Sequence, residues 1–379
     1  MNGRRFSWSR WVSIVIKEFI QLKRDRLTFG MIVGIPVIQV LLFGFAINSD
    51  PKSLPTAVVS LDNGRYTRTI VSALKNTNYF RFVHEAASMA EADEMIERGK
   101  VQFVVTIPAG FERALVRGDR PQLLIEADAT DPSATGPALA AVNLALTTAL
   151  AHDLQGVTGD LAGGSSAVDV RIQRRYNPEG ITAYNIVPGL LGVILTMTMV
   201  LMTGLAMTRE RERGTFENLL ATPALPVEVM TGKIIPYILI GLIQVTLALL
   251  AASYVFSVPI EGSLVLLYAV VLVFIAANLT LGITFSSIAR NQLQAMQMTF
   301  FFFLPSILLS GFMFPFRGMP EWAQVIGSLL PLTHFLVLVR GILLKGATLP
   351  ELYSSIWPIL AFMGAILLLG LKFYRKTLD

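Results

Sequence analysis

Residues Ala183–Met207 read AYNIVPGLLGVILTMTMVLMTGLAM, without a single charge, and run directly into the charged Thr208–Arg213, TRERER. A helix needs about 20 apolar residues to cross the hydrocarbon core of a bilayer. This stretch is therefore a membrane span with a charged exit. Working outward, runs of the same character occur at Leu27–Ile47, Ile234–Phe256, Ser263–Ser287, Met298–Phe314 and Leu352–Leu371. The composition agrees: 53% of residues are hydrophobic and only 15% charged, with a mean hydropathy of +0.60. Soluble domains carry about 25% charged residues. The expected fold is an α-helical polytopic membrane protein with six transmembrane helices.

The first two spans are separated by a long polar segment, 48–182, and the rest follow closely. Orientation follows from Lys and Arg near the span ends, which favour the cytoplasmic side. Arg4, Arg5, Arg10, Lys17, Lys23, Arg24 and Arg26 precede the first span. Arg209, Arg211, Arg213 and Lys233 follow the second, Arg290 follows the fourth, and Lys372, Arg375 and Lys376 follow the last. The opposite short segments hold only Arg317, Arg340 and Lys345. Both termini, the 208–233 loop and the 372–379 tail are expected in the cytoplasm, with 48–182 outside it.

A rival span, Ala134–Ala151, holds Asn143, Thr147 and Thr148 between Asp131 and Asp153. Counting it would place Arg209–Arg213 outside, so it reads as a long helix of the external segment, capped by Asp131 with Pro132 in its first turn. That segment reads as an α/β domain inserted between the first and second helices. Strands are expected at Thr56–Leu61, Phe80–Val83, Val101–Ile107, Gln122–Ala127 and Val168–Gln173, with helices between them. Ser88 and Glu91 form a capping box opening a helix at Met89–Arg98. Pro108 opens another, Asp62-Asn63-Gly64 is a turn, and Gly163–Ser166 is a flexible connection.

Residues 1–26 carry Trp8, Trp11, Val12, Val15, Ile16, Phe19 and Ile20 largely on one helical face, with Lys and Arg following. An amphipathic helix lying on the membrane lipid of the cytoplasmic leaflet is expected.

Several chemistries are excluded. The chain has no Cys, which removes disulfides and thiolate sites and suits a domain outside the cytoplasm. Its His residues, at 84, 152 and 334, are too scattered for a metal site. Thr231-Gly232-Lys233-Ile234 lacks the leading Gly and the hydroxyl of a phosphate loop, and no nucleophile elbow or dinucleotide fingerprint is present. The net charge of +5 sits beside apolar runs and does not point to nucleic acid. No Asp or Glu lies within the six spans, whereas ion-coupled transport needs an ionisable group there. Energy therefore enters from another protein.

The densest polar cluster beside a span is Arg209–Pro223. Gly214 breaks the exiting helix, and Thr215 caps a short helix with Phe216, Leu219 and Leu220 on one face. Pro223 and Pro226 end it. Such a helix fits a partner's groove, or it is a charged loop that only sets topology.

The motif MTRERERGTFENLLATP at 207–223 resembles the cytoplasmic signature of type-2 ABC exporter permeases. The stretch GFMFPFRGMPEWAQVIGSLLPLTHFLVLVRGILLKG at 311–346 resembles the region before their last span. The resemblance implies a permease with no ATPase site and no bound cofactor, ATP and Mg being held by separate ATP-binding cassette ATPase subunits. It implies pairing with a second permease copy or paralogue, in a bacterial inner membrane, and often a periplasmic adaptor protein. It makes 209–223 the coupling helix, with Glu210, Gly214, Thr215, Glu217, Leu220 and Pro223 on matching positions and Arg211, Glu212, Phe216 and Leu219 among them. The large external domain resembles the subgroup that exports drug-like cargo.

Residues 315–350 are punctuated by Pro320, Pro331 and Pro350. Glu321–Leu329 and Thr333–Leu344 are each too short or too polar to span, and are expected as an outer-side re-entrant hairpin, with Arg340 facing protein, water or headgroups. Candidate pathway or gate residues are Asn185, Thr198, Gln244, Asn278, Ser306, Ser310, His334 and Arg340. A non-transporting receptor or scaffold and an ion-coupled transporter are the alternatives that these residues alone leave open.

Overall fold

A computed structural model describes residues 8–24, 52–153, 167–212, 226–289 and 291–374. The expected span 27–47 and the 163–166 connection lie outside the described residues, as do residues 213–225 and 375–379. The chain divides into two compact units. A sheet unit falls within Ile47–Asn185 together with Phe314–Gln324, and a helical unit takes the remainder. Helix α1 (Trp8–Arg24) belongs to the helical unit.

The sheet unit alternates β1 (Leu54–Ser60), α2 (Arg65–Asn76), β2 (Phe80–Glu85), α3 (Met89–Glu97), β3 (Phe103–Ile107), α4 (Phe111–Arg117), β4 (Gln122–Asp128), α5 (Pro132–Asp153) and β5 (Asp169–Arg175). Its five strands run in the order β2-β1-β3-β4-β5. β3 and β4 are antiparallel, and the other pairs are parallel. Parallel strands covered on both faces read as near-continuous apolar runs, and β1, LPTAVVS, is buried along almost its whole length. Alternation then sorts its residues: Leu54 and Val58 join one core with α2, α4 and α5, while Ala57 and Val59 join another with α3.

Every strand expected from the sequence forms, with ends shifted by up to two residues. Ser88 caps α3 by accepting from the Glu91 N–H at 3.2 Å, and Glu91 accepts from the Ala87 N–H at 2.8 Å. Its carboxyl is held below the ordinary range by His84 and by that backbone bond. Pro108 does not open α4. That helix starts at Phe111 after Gly110, whose φ of +72° favours glycine. Asp62 instead supplies the missing acceptor, taking the Glu112 N–H at 3.0 Å and the Gly64 N–H at 3.0 Å.

α5 is one of six described helices long and apolar enough to cross a membrane. Its Ala138, Leu139, Val142, Leu146 and Leu150 are nevertheless buried in the sheet core, and Asp131 caps it through the N–H groups of Ser133 and Ala134. We assign α5 to the sheet unit on that packing. The unit also takes in Phe314–Gln324, which lies far away in sequence. There Arg317 donates to the Lys100 carbonyl at 2.8 Å and to the Gly99 carbonyl, and burial lowers its pKa.

The helical unit holds α6 (Thr182–Glu212), α7 (Pro226–Tyr254), α8 (Leu264–Ile288) and α9 (Gln292–Leu309), then the end of α10 (Glu321–Ser328), which starts within the sheet unit, and α11 (Pro331–Lys345) and α12 (Leu349–Tyr374). α6 begins at the end of the sheet unit and runs past Met207 into the charged segment. Pro226 begins α7, where a first-turn Pro has no hydrogen bond to lose; the short helix expected before it lies outside the described residues. α9 stops at Leu309, short of Phe314, and Gly311 turns the chain with a φ of +89°. α10 and α11 meet at 84°.

Membrane helices pack closely where small residues let backbones approach. A Cβ on Gly282 of α8 would lie 1.9 Å from Thr203 Oγ1 and 2.8 Å from the Val200 carbonyl oxygen, both on α6. Gly282→Ala is expected to separate these helices, at a cost of about 1–3 kcal/mol for overpacking. Thermal unfolding in detergent would measure this. Thr203→Ala should recover part of the loss, and no recovery would place the strain on the Val200 carbonyl.

Candidate functional site

Two sets of polar side chains stand out in the helical unit. The first lies in its interior. Thr198 on α6 donates to Gln244 Oε1 on α7 at 2.9 Å and also to the Ile194 carbonyl at 2.7 Å. Gln244 is 1% exposed, and its Nε2 has no partner among the described residues. Asn278 on α8 is fully buried and donates to the Phe274 carbonyl at 2.9 Å, and its Oδ1 has no partner among the described residues. An unmet buried polar atom costs about 1–3 kcal/mol. Helix packing holds these groups in place: a Cβ on Gly241 would lie 2.7 Å from Ile275 Cδ1 and 3.3 Å from Met199 Sδ. Three helices thus meet one turn from Gln244 and Asn278.

Other sequence candidates are placed differently. Ser306 and Ser310 are buried and donate to the Phe302 and Ile307 carbonyls of their own helix. Asn185 belongs to the sheet unit, where it donates to Asp131 Oδ1 at 2.8 Å. His334 Nε2 lies 2.7 Å from the Ser328 carbonyl oxygen, and Thr333 donates to the Gly327 carbonyl, so both fasten the α10–α11 bend. Arg340 donates to the Gly311 carbonyl at 3.3 and 3.4 Å. Backbone oxygens commonly meet a charge carried on a membrane helix.

The second set lies where α6 ends. Glu210 Oε1 is 3.9 Å from Lys17 Nζ on α1. Arg209 donates to Gln292 Oε1 at 3.3 Å. Glu212 accepts the Gln292 N–H at 2.7 Å and also its side-chain amide. Glu212 thus adds an anion at the α9 N-terminus, where the helix dipole favours one, and the Gln292 hydrogen bonds lower its pKa. α1 also packs beside the start of α7, with Ile14 and Val15 close to Gly232. The sequence reading missed Lys17, Gln292 and Gly232 as partners. Asn291, which caps α9 by accepting the Gln294 N–H at 2.8 Å, was the available signal for the α9 end. Gly214, Thr215, Phe216, Glu217, Leu219, Leu220 and Pro223 lie outside the described residues, and so does the side chain of Arg211.

An apolar helical unit whose interior amides find no partner among the described residues, with a charged α6 end braced on α1 and α9 just before 213–225, suits a membrane machine driven from one end. Residues 26–372 match the family described as ABC-2 family transporter protein. The chain belongs to this family. It is 28% identical to the probable multidrug ABC transporter permease YbhR of Escherichia coli, over 92% of this chain and 93% of that one. It is 29% identical to the inner membrane transport permease YhhJ of the same organism, over 96% of each. ABC transporter G family member 20 of Dictyostelium discoideum is 27% identical over 91% of this chain, which covers 47% of that larger protein.

An ABC-2 chain is the membrane-spanning permease subunit of an ABC exporter, and the ATP is used by a partner ATPase. The receptor and ion-coupled alternatives give way to this assignment. Gln244→Leu tests the interior of the permease. If Nε2 serves cargo, export falls several-fold while the melting temperature holds or rises, because an unmet donor has been removed. Unchanged export would exclude Gln244 from the pathway.

Proposed function

We propose that this permease works in the bacterial inner membrane as one of two permease chains, moving a drug-like or amphipathic cargo outward. Span 27–47 precedes the sheet unit, which lies outside the cytoplasm, and both termini lie inside. The lysines and arginines flanking the spans support that orientation. α1 lies along the cytoplasmic leaflet, a reading supported by its exposed Trp8, Val12, Ile16, Phe19 and Ile20. A periplasmic adaptor meets the sheet unit. The name of the YbhR relative, a probable multidrug permease, supports the cargo class.

ATP binding draws the ATPase subunits together, and residues 209–223 carry their motion into the spans. The observation that carries this reading is the bracing of the α6 end. Glu210 and Lys17 link it to α1, and Glu212 and Gln292 link it to α9, so a push on 213–225 reaches several helices. Cargo approaches Thr198, Gln244 and Asn278, and the α10–α11 bend with Arg340 acts as the outer gate. Reconstitution of the permease with its ATPase in vesicles tests the proposal. Cargo movement is expected only with both proteins and ATP, and movement by the permease alone would sink it.

A further inference from the structure

Strand β5 is an edge of the sheet: β4 pairs with it, and no described strand lies on its other side. The Asp169 N–H donates to the Pro121 carbonyl and the Ala129 N–H to the Arg175 carbonyl. In a parallel ladder those bonds turn the backbone groups of Asp169, Arg171, Gln173 and Arg175 toward β4. Val170, Ile172 and Arg174 therefore hold theirs out along the open edge. The middle of the strand is exposed, Ile172 to 37%. Such an edge is a template for another strand.

We propose that β5 pairs antiparallel with β5 of a second copy, with Ile172 opposite Ile172, joining the two sheets across a twofold axis. The inference rests on the paired-permease reading. The three arginines of DVRIQRR restrict the register, because like charges directly opposite oppose pairing. Centred on Ile172, all seven residues of β5 find partners and no arginine faces another: Val170 faces Arg174, Arg171 faces Gln173, and Arg175, already held by Glu126 and Asp93, faces Asp169, itself paired with Arg171. Opposite charges across a strand pair stabilise it, and like charges oppose it. Centring on Arg171 or Arg174 sets that arginine against itself, and centring on Gln173 sets Arg171 against Arg175. Centring on Val170 leaves Arg174 and Arg175 outside the ladder. A strand that complements itself in its one full-length register fits an isologous contact, in which residue i meets j and j meets i. Ile172 is outward-facing, so the central pair exchanges both backbone hydrogen bonds.

The chain has no cysteine, so an introduced one reports cleanly. Ile172→Cys is placed in the full permease, co-expressed with its ATPase in native membranes, and oxidised mildly. A disulfide-linked dimer is expected, because opposite residues in such a pair have Cα atoms about 5.5 Å apart. Val170→Cys alone should not link, since its copies would lie about 13 Å apart along the strands. Val170→Cys with Arg174→Cys in one chain should link again, which also guards against poor folding of a single variant. No dimer from Ile172→Cys or the double variant, equal linking by Val170→Cys, or linking to a different protein would each overturn the pairing. ATPase co-purification with the unmodified permease is scored separately. Its absence would overturn the permease reading whatever the cross-links show.

Discussion

Leu220→Asp is expected to abolish both ATPase co-purification and cargo export while leaving the amount of permease in the membrane unchanged. Phe216, Leu219 and Leu220 fall on one face of the short helix expected after Gly214. Burying a leucine in a partner's groove contributes about 1.5–3 kcal/mol, and placing a carboxylate there adds its desolvation cost. A loss of about 3 kcal/mol already weakens association roughly a hundredfold. The α6 end before it remains braced by Lys17–Glu210 and Glu212–Gln292, so the lesion should stay local. Leu220→Met, which keeps apolar volume, should retain most binding. Wild-type association and export in Leu220→Asp would show that 209–223 is not the coupling element.

The second large effect concerns stability. Glu126 of β4 is 3% exposed, and Arg175 of β5 donates to its Oε1 through Nε at 3.0 Å and Nη2 at 2.6 Å. The same Nη2 also reaches Asp93 of α3. Burial works against the charge of Arg175, yet the hydrogen bonds and charges of Glu126 and Asp93 outweigh it and raise its pKa. A raised value means this contribution is complete below the pKa of an unfolded arginine and is lost only above it. Working pH therefore leaves the arginine side of the pair untouched. Arg175→Met strands a buried carboxylate, a change that costs about 3–5 kcal/mol. Thermal unfolding of the full chain in detergent should show a fall of several degrees, largely reversed by adding Glu126→Gln. A melting temperature within a degree of wild type would show that Glu126 finds water or another partner.

Much of the architecture was legible along the chain. The apolar runs after residue 182 gave the long helices, because a bilayer-crossing helix has a length and a composition that no fold can disguise. The sheet strands were legible because covered strands are short apolar runs between turn residues. Ser88 and Asp131 announced their helices through a hydrogen bond that closes within a few residues. Pro108 misled because proline restricts the backbone without saying where the first helical hydrogen bond forms, and Asp62, far upstream, decided that. The polar residues Thr198, Gln244 and Asn278 could be singled out, but nothing along the chain distinguished them from Ser306 and Ser310, whose hydroxyls bond within their own helix.

By itself the sequence determined the class of molecule, the charged exit after the apolar run 183–207 and the lack of a phosphate-loop motif. Each of these depends on residue types within one helix or one short motif. Charge bias had already set α5 outside the spans, but only tertiary structure showed which of its residues pack on the sheet, and that Phe314–Gln324 joins the sheet unit through Arg317. It also decided which amides find no partner among the described residues and that Glu212 reaches Gln292. Thr198 and Gln244 are 46 positions apart, Glu212 and Gln292 80, and Arg317 and Gly99 218, and local propensity carries no record of contacts at such a separation.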